Sequence, residues 1–498
     1  MGLTARDLLL VSPELALVVL AIAIVLLDLV LDRKGFVLAV GIAGLAVPLA
    51  AALGLWAIVA DGGPEMAFHG ALVVDAFALF FKLLIVGILG LLLLSSADYI
   101  ERFSPHQAEF VALVLLSAAG LMLLAGAADL IAVFVSLELA SLPVVALVAF
   151  LKSERSIEAG IKYLLLSGLS SAVLLYGFAF LYGATGTVRL VALDPALPTI
   201  ATMLPAAGGA LPFGGFAVLL GVVLATAGFG FKLSMVPFQM WTPDVYEGAP
   251  TPVAAFLATA SKAAAFAIVL RLFYTALGGA SADWSIMFAV LAAVTMTVGN
   301  VVAIAQSNVK RLLGYSAIAQ AGYMLIGVAA VASDGGSLLG AESVLFYLGG
   351  YAAMNLAAFF AVIAITNATG DDRIEALAGV GRRTPWLALV LAFALISLTG
   401  IPPTVGFMGK LFLFNAAVSA DLAWLAVVGV VNSVVSAYYY MGIVRTMYMR
   451  EPAEPRRIGA PVTAWVAMGV ATAGVAVLGV WPAWLLDIAR TAAGSLVP

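Results

Sequence analysis

Long runs of apolar residues, separated by short polar breaks, follow one another along the whole chain. A helix needs about 20 residues to cross a bilayer core of about 30 Å, and most of the runs have this length. Barrel strands would alternate polar and apolar positions, and these runs do not. The pattern therefore predicts an all-α polytopic membrane protein with about fourteen transmembrane helices, numbered α1 to α14.

The predicted spans, from α1 to α14, are 13–31, 36–60, 73–96, 107–127, 129–151, 157–182, 213–240, 250–270, 284–306, 312–332, 340–367, 385–415, 421–444 and 461–487. The first run has full membrane length and carries Asp28, so we expect a retained helix and not a cleaved signal peptide. The longest gap, 183–212, is rich in Pro and Gly and only partly polar, so no soluble domain is expected.

The composition supports a membrane protein and excludes several kinds of site. Hydrophobic residues make up 64% of the chain and charged residues 10%, whereas a soluble domain has roughly 25% charged residues. The chain has no cysteine and only two histidines, which excludes disulfides and cysteine-held clusters and argues against a multi-histidine metal or haem centre. A net charge of −4 gives no sign of nucleic-acid binding.

The basic residues are distributed unevenly between the two sets of loops. Loops after odd-numbered helices hold 14 of the 23, namely Arg33, Lys34, Arg102, Lys152, Arg155, Lys310, Arg311, Arg373, Arg382, Arg383, Arg445, Arg450, Arg456 and Arg457. Loops after even-numbered helices and the two termini hold only Arg6, Arg189, Arg271 and Arg490. Because positive charge collects on the cytoplasmic side, we expect the odd loops in the cytoplasm and both termini outside it.

The remaining five basic residues lie inside apolar spans, and all of them are lysines: Lys82, Lys162, Lys232, Lys262 and Lys410. A charge near the bilayer centre costs about 2.5–3.5 kcal/mol on insertion scales, so such residues are usually functional. Buried lysine can release its proton near neutral pH, whereas arginine cannot. The choice of lysine therefore indicates proton transfer.

Glu138 lies near the middle of α5, with about ten residues on each side, which is roughly 15 Å of helix. Its side chain cannot reach water at either membrane surface. One interpretation is a structural hydrogen bond or ion pair between helices. The interpretation that we favour is a carboxylate that handles protons together with a lysine.

Lys232 and Lys410 each lie in a helix interrupted by Gly and Pro. Such a break frees backbone carbonyls inside the membrane and is typical of transporter sites. The two helices, α7 and α12, are each the fourth in a block of five, α4–α8 and α9–α13. Because five is odd, we expect two inverted five-helix repeats, each with a discontinuous helix. The domains would be 1–106, 107–283, 284–450 and 451–498. The alternative interpretation of such a lysine is that it merely snorkels at a kink in its helix.

The other three lysines carry different alternatives. Lys262 lies among alanines in the middle of α8, where small neighbours allow close packing or water, and we expect a relay role. Lys162 begins α6 one turn after Glu158, so it could pair with that carboxylate or snorkel. Lys82, seven residues after Asp75, is more simply structural.

Two stretches resemble a known family. One is 231–262, with Phe-Lys-Leu-Ser-Met-Val-Pro-Phe at 231–238, Trp-Thr-Pro-Asp-Val-Tyr-Glu-Gly-Ala-Pro at 241–250, and Ser261-Lys262. The other is Gly-Ile-Pro-Pro-Thr-Val-Gly-Phe-Met-Gly-Lys at 400–410. Together with Glu138, and with nearly the whole chain in helix count and motif order, they resemble the subunit N family of proton-pumping NADH–quinone oxidoreductase, respiratory complex I.

The resemblance implies roles for the buried residues. Glu138 and Lys232 would form the pair of a first half-channel, with Lys162 nearby, Lys262 would be the central relay, and Lys410 the exit-side site. The chain departs from the family at Gln239 and Gln320, where histidine is frequent. Glutamine does not titrate, so histidine relays are not expected at these two positions.

The resemblance also implies partners: other membrane subunits of complex I and the lipid bilayer of a bacterial inner membrane. NADH, FMN, iron–sulfur clusters and quinone would be bound by partner subunits, and this chain would carry out no electron transfer. Two alternatives stay open. One is a subunit of an Mrp-type sodium/proton antiporter, which shares the fold but has a different α7–α8 loop. The other is a structural spacer in a larger complex.

Overall fold

The structure, a computed structural model, describes residues 4–30, 35–101, 106–204, 215–331, 338–452 and 457–496. Within these ranges, thirteen helices are long and apolar enough to cross a membrane. Two shorter apolar helices, Pro385–Thr399 and Val405–Ser419, follow one another where α12 was predicted. Taken together as one crossing, they complete the fourteen crossings, and the predicted all-α polytopic fold is confirmed.

The membrane helices are Ser12–Val30 (α1), Phe36–Gly62 (α2), Ala76–Ser95 (α3), Gln107–Ala125 (α4), Leu130–Val148 (α5), Glu154–Thr185 (α6), Phe216–Leu233 (α7), Thr251–Ala276 (α8), Gly278–Ala303 (α9), Val309–Ala329 (α10), Leu339–Thr369 (α11), the two halves of α12, Ala423–Met449 (α13) and Val462–Val480 (α14). Short helices at Ala5–Leu10, Ala97–Glu101, Ile200–Met203, Trp241–Gly248, Val380–Arg383 and Ala483–Gly494 lie between or beside them. The sequence did not predict a small antiparallel hairpin, β1 (Glu65–Ala67) and β2 (Leu72–Val74), in the α2–α3 loop.

The two broken helices end where the sequence supplies backbone breakers. α7 ends at Leu233 because Ser234 adopts a left-handed conformation with φ 60°, and Pro237 follows. The first half of α12 ends before Gly400, whose φ is 92°, and the consecutive prolines 402 and 403 prevent the helix from continuing. The predicted spans 213–240 and 385–415 therefore each contain a break, as expected of discontinuous helices.

Ion pairs show which loops share a face. Loops after odd-numbered helices are joined by Arg155–Glu247 (3.3 Å), Arg311–Glu247 (3.1 Å), Lys310–Asp372 (3.5 Å) and Arg382–Glu451 (3.7 Å). The chain ends meet the other loops, through Arg6–Glu65 and Arg490–Glu342. Both described ends therefore lie on the face of the even-numbered loops. Arg33, Lys34, Arg102 and Arg456 lie outside the described residues.

Arg271 contradicts the expectation that every arginine lies in a loop. It is 1% exposed, inside α8, where its guanidinium binds both carboxylate oxygens of Asp75 at 2.9 and 3.0 Å. Asp75 also accepts a hydrogen bond from the backbone of Ala78 and so caps α3. The apolar run of α8 was predicted to end at 270, one residue too early to include the arginine.

The same packing device recurs in the two five-helix blocks. At Gly120 of α4, the backbone of Ala140 in α5 approaches so closely that an added Cβ would lie 2.5 Å from a backbone nitrogen. In the second block, Gly299 of α9 and Gly322 of α10 permit the same close approach between those two helices. α8, α10 and α11 are the most deeply buried of the described membrane helices.

Candidate functional site

Among the described residues, the hydrogen-bond partners of Lys232, the penultimate residue of α7, are neutral groups. Its Nζ donates to Ser141 Oγ of α5 at 2.5 Å and to the hydroxyl of Tyr163 in α6 at 3.2 Å. The ring of Tyr163 packs against Phe231 and Trp241, and the Trp241 indole donates to the Phe231 carbonyl, 2.8 Å away. The break in α7 therefore places a lysine against hydroxyl groups, and an aromatic cluster holds it there.

Glu138 lies one turn before Ser141 on α5 and is half-buried. Its carboxylate accepts a hydrogen bond from the Ser171 hydroxyl of α6. No ion pair joins Glu138 and Lys232, both of which the structure describes. The α5 side chain that Lys232 binds is that of Ser141, one turn after Glu138. The outer neighbours Val135 and Leu142 are exposed, so this helix faces the surroundings of the chain.

A small cavity separates Lys232 from the residue before the central lysine. It has about 10 Å³ of room for the centre of a water-sized sphere, which is about the space that one water needs. Its polar lining comes from Tyr163, Lys232 and Ser261, and the rest of the lining is apolar. The cavity is therefore large enough for a single water between the first site and α8.

Lys262, in the deeply buried helix α8, is only 1% exposed. Its Nζ donates to the Leu233 carbonyl, freed by the break in α7, at 3.2 Å and to the Ala317 carbonyl of α10 at 2.8 Å. The preceding turn, Leu257–Ser261, is a π-helix, a distortion that is frequent at functional sites. Lys262 therefore joins the first block to α10 of the second.

Lys410 holds the break in α12. Its Nζ donates to the carbonyls of Leu398 at 3.2 Å and Thr399 at 2.9 Å, and to Ser433 Oγ of α13 at 3.1 Å. The ammonium also lies 4.2 Å from the ring centre of Tyr323. Two of the carbonyls at this helix end are thus satisfied by a side-chain amine inside the membrane.

Gln320 lies between the last two lysines and is 1% exposed. Its Nε2 donates to the Leu398 carbonyl at 3.0 Å, the same oxygen that Lys410 binds, and its Oε1 accepts from the Tyr347 hydroxyl at 2.5 Å. The other departure from the family, Gln239, follows the break in α7, and its Oε1 has no hydrogen-bond partner among the described residues. The two glutamines therefore have different surroundings.

Lys162 lies apart from the other proposed relay residues. It is 41% exposed and forms ion pairs with Glu158, as its spacing suggested, and with Asp244, both at 2.7 Å. Burial would raise the pKa of Asp244, but hydrogen bonds from Lys162 and Arg311 outweigh this effect and hold that pKa below the ordinary value. These contacts tie α6, the 241–248 helix and α10 together.

Lys82 has a buried partner that the sequence did not indicate. Its Nζ lies 2.8 Å from the carboxylate of Glu14 in α1, and both side chains are almost fully buried. The nearby Asp75 is occupied by Arg271 instead. The hydroxyl partners of Lys232 and Lys410 also escaped prediction, because serine and tyrosine in helices usually satisfy local carbonyls and give no sequence signal.

The described residues contain no group of three histidine, aspartate or glutamate side chains that could hold a metal ion. What the arrangement offers is a series of polar contacts across the molecule. Short steps of one helical turn, one small cavity or one shared carbonyl lead from Glu138 through Lys232 and Lys262 to Lys410. Ammonium groups and hydroxyls in such a series can pass protons.

Comparison with known proteins gives consistent results. Residues 127–436 match a family described as NADH:quinone oxidoreductase/Mrp antiporter, transmembrane. NADH-quinone oxidoreductase subunit N of Dehalococcoides mccartyi is 41% identical over 484 residues, covering 96% of this chain and 98% of the relative. F(420)H(2) dehydrogenase subunit N of Methanosarcina mazei is 37% identical, covering 99% of this chain and all of that protein.

Solved structures share the fold. A chain of respiratory complex I from Thermus thermophilus with bound aureothin is 35% identical, with a TM-score of 0.77 over 95% of this chain and 98% of that one. A chain of the Mrp complex from Dietzia superposes with a TM-score of 0.86 over 99% and 98% of the two chains, at 24% identity. The shape of the chain alone therefore does not distinguish complex I from the Mrp complex, whereas the higher sequence identity favours complex I.

Proposed function

Because the chain belongs to the NADH:quinone oxidoreductase/Mrp antiporter family, and its full-length relatives at about 40% identity are subunit N of NADH–quinone oxidoreductase, we propose that it conducts protons across the membrane while its complex transfers electrons from NADH to quinone. Its partners are the other membrane subunits of that complex. NADH, FMN, iron–sulfur clusters and quinone belong to the partners in this proposal, and this chain carries out no electron transfer.

One observation carries the assignment of residues. In the described part of the chain, Lys232, Lys262 and Lys410 bind only hydroxyls and carbonyls. The other deeply placed cations are each matched to a carboxylate: Lys82 to Glu14, Arg271 to Asp75 and Lys310 to Asp372. A buried ammonium with neutral partners can give up its proton more readily, because no carboxylate in direct contact retains it. Lys162, which has two carboxylate partners, is better placed as an anchor at the odd-loop face.

The proposed transfer begins with a change in the electrostatics around Glu138. Rearrangement in a partner subunit alters the charge near Lys232, whose proton moves through the one-water cavity toward Lys262 and then to Lys410. Moving one charge against 100 mV costs about 2.3 kcal/mol. Two unit charges about 7 Å apart interact by about 2.4 kcal/mol at an effective dielectric constant of about 20. Displacing one such charge therefore releases an energy of the size needed to move a proton.

The topology in this proposal follows the charge distribution. The odd-numbered loops face the cytoplasm of a bacterial inner membrane, and both termini face the other side. Residues 107–283 and 284–450 act as the two inverted units, with 1–106 and 451–498 packed around them. Two features recur at corresponding positions in the two units and support this division. They are the breaks in α7 and α12, and the close glycine contacts of α4–α5 and α9–α10.

The second candidate is a sodium/proton antiporter subunit, because the description of the matched family includes the Mrp antiporter. Vesicles containing the assembled complex distinguish the two. We expect proton movement that starts on addition of NADH and is the same in sodium and potassium buffers. Proton movement driven by a sodium gradient without NADH would support the antiporter instead.

The hypothesis that this chain is only a structural spacer is tested by replacing both Lys232 and Lys410 by methionine. We expect an assembled complex whose proton pumping is strongly reduced. Full pumping by that assembled double variant would mean that this chain only holds its neighbours in place.

A further inference from the structure

Gln320 occupies the gap between Lys262 and Lys410. It lies one helical turn after Ala317, whose carbonyl accepts from Lys262 at 2.8 Å. On its other side, its amide and Lys410 share the Leu398 carbonyl, at 3.0 and 3.2 Å. Within the described residues, the Gln320 side chain therefore reaches from the helical turn that Lys262 binds to the carbonyl that Lys410 binds.

Hydrogen bonds fix the orientation of the Gln320 amide. The Leu398 carbonyl can only accept, so the nitrogen must point to α12 and the oxygen toward Tyr347, whose hydroxyl donates at 2.5 Å. On α13, the Tyr440 hydroxyl lies 3.5 Å from the amide nitrogen and 2.5 Å from Ser316 Oγ, which is one residue before Ala317. The four side chains are almost completely buried, and they form a cluster that we name the Gln320 cluster: Ser316, Gln320, Tyr347 and Tyr440.

The chemistry of this cluster differs from that of the lysines. An amide does not titrate at physiological pH, so it cannot store a proton, but it can keep hydroxyls and carbonyls in fixed positions. A hydroxyl can accept a proton on one side while it releases one on the other. The gap between Lys262 and Lys410 therefore contains groups that can pass a proton on and a group that orients them.

We propose that Gln320 is a positioning residue for proton transfer from Lys262 to Lys410, held in place by Tyr347 and orienting the hydroxyls of Tyr440 and Ser316. This inference rests on the proposed function. In the transfer, the Lys262 ammonium loses one N–H proton and becomes an amine, and the Lys410 amine gains one proton. Each hydroxyl or water between them breaks one O–H bond and forms another, so none of them is left ionised.

The first test uses Gln320→Leu, which removes both ends of the amide. In the assembled complex, reconstituted in vesicles, we expect the transfer step to slow about tenfold or more, since small misplacements of reacting groups have effects of this size. The solvent isotope effect on pumping, measured in H₂O and D₂O, should rise because the hop across this gap becomes rate-limiting. Asn355→Leu is the matched control: Asn355 is an equally buried amide on α11 that binds only Tyr351 among the described residues.

Gln320→His gives a readout that a purely structural role would not produce. Imidazole can still donate to the Leu398 carbonyl, but it also titrates near pH 6.5. The titratable groups around this position are Tyr347 of α11, Tyr440 of α13, Lys410 of α12, Tyr323 of α10 and, one turn away, Lys262 of α8. We expect near-normal pumping at high pH and a new decrease as the pH falls below about 6.5, since the imidazolium would repel a protonated lysine.

The outcomes separate this inference from the proposed function. Wild-type pumping and isotope effect in Gln320→Leu would overturn the positioning role, and so would an equal loss in Asn355→Leu, which would indicate packing alone. If Gln320→Leu does not assemble, Tyr347→Phe leaves the amide in place and carries the same expectation. Failure of the positioning role leaves the proposed function intact, whereas normal pumping by the double replacement of Lys232 and Lys410 would overturn both.

Discussion

Replacing Lys262 with methionine removes the central amine while nearly keeping the shape of the side chain. The amine is 1% exposed and donates to the carbonyls of Leu233 and Ala317. If the lysine relays protons, its loss should stop transfer between the two blocks. If it serves only to bind the two carbonyls, its loss should affect stability and leave pumping intact.

The stability effect is expected to be small because two contributions oppose each other. Each buried carbonyl that loses its donor costs about 1–3 kcal/mol. Removing the lysine also removes the cost of keeping its charge in the membrane, about 2.5–3.5 kcal/mol on insertion scales. The two contributions nearly cancel, so we expect the Lys262→Met complex to assemble.

The effect on transfer is much larger. A positioned acid–base group typically contributes about 10²–10⁴-fold to the rate of proton transfer. Lys262→Arg sharpens the test, because arginine keeps the charge and the hydrogen-bond donors but does not release its proton. We therefore expect both variants to lose proton transfer through this chain, although only one of them loses the charge.

The assay measures NADH oxidation and vesicle acidification in the same preparation, with subunit content checked after purification. Normal acidification per NADH in Lys262→Arg would refute the reasoning, because transfer would then need a charge at this position and no titration.

Three further predictions follow from contacts around the site. Arg271→Gln should lower the unfolding free energy by about 3–5 kcal/mol by leaving Asp75 buried without a counter-charge, and adding Asp75→Asn should restore part of it; thermal unfolding of the purified complex measures both. Gly400→Ala should reduce pumping, because the position has a φ of 92° and the new Cβ would lie 2.9 Å from Lys410 Cδ, whereas Gly370→Ala, at a similar φ in open space, should only cost backbone strain of about 1–2 kcal/mol; equal pumping by the two would contradict the contact with Lys410. Lys162→Met should reduce pumping less than Lys232→Met in the same vesicle assay, since its partners mark it as an anchor, and an equal loss would place it in the relay.

Much of the fold could be predicted from the sequence because a membrane leaves few alternatives. Apolar run length gave the fourteen crossings, and the Gly and Pro residues near Lys232 and Lys410 marked the two broken helices. The exact ends could not be predicted, since Ser234 adopts a left-handed conformation that its residue type does not require. The α2–α3 hairpin was missed because its strands have only three residues each.

The site could be predicted only in part, because a sequence shows which groups are costly to bury and not what they touch. Depth in an apolar run identified the lysines, and helical spacing gave the Lys162–Glu158 pair. The Lys82–Glu14 pair joins residues far apart in the chain, so no local pattern revealed it. The same reason hid Ser141, Tyr163 and Ser433, whose roles depend on the packing of separate helices.

Central to this account is that Lys232, Lys262 and Lys410 are the residues through which protons cross. The most direct test is the number of protons translocated per NADH oxidised by an assembled complex that carries Lys232→Met, compared with the wild-type complex in the same vesicles. We predict a lower ratio, or slowed NADH oxidation if the two processes are strictly coupled. An unchanged ratio at an unchanged rate of NADH oxidation would contradict the account.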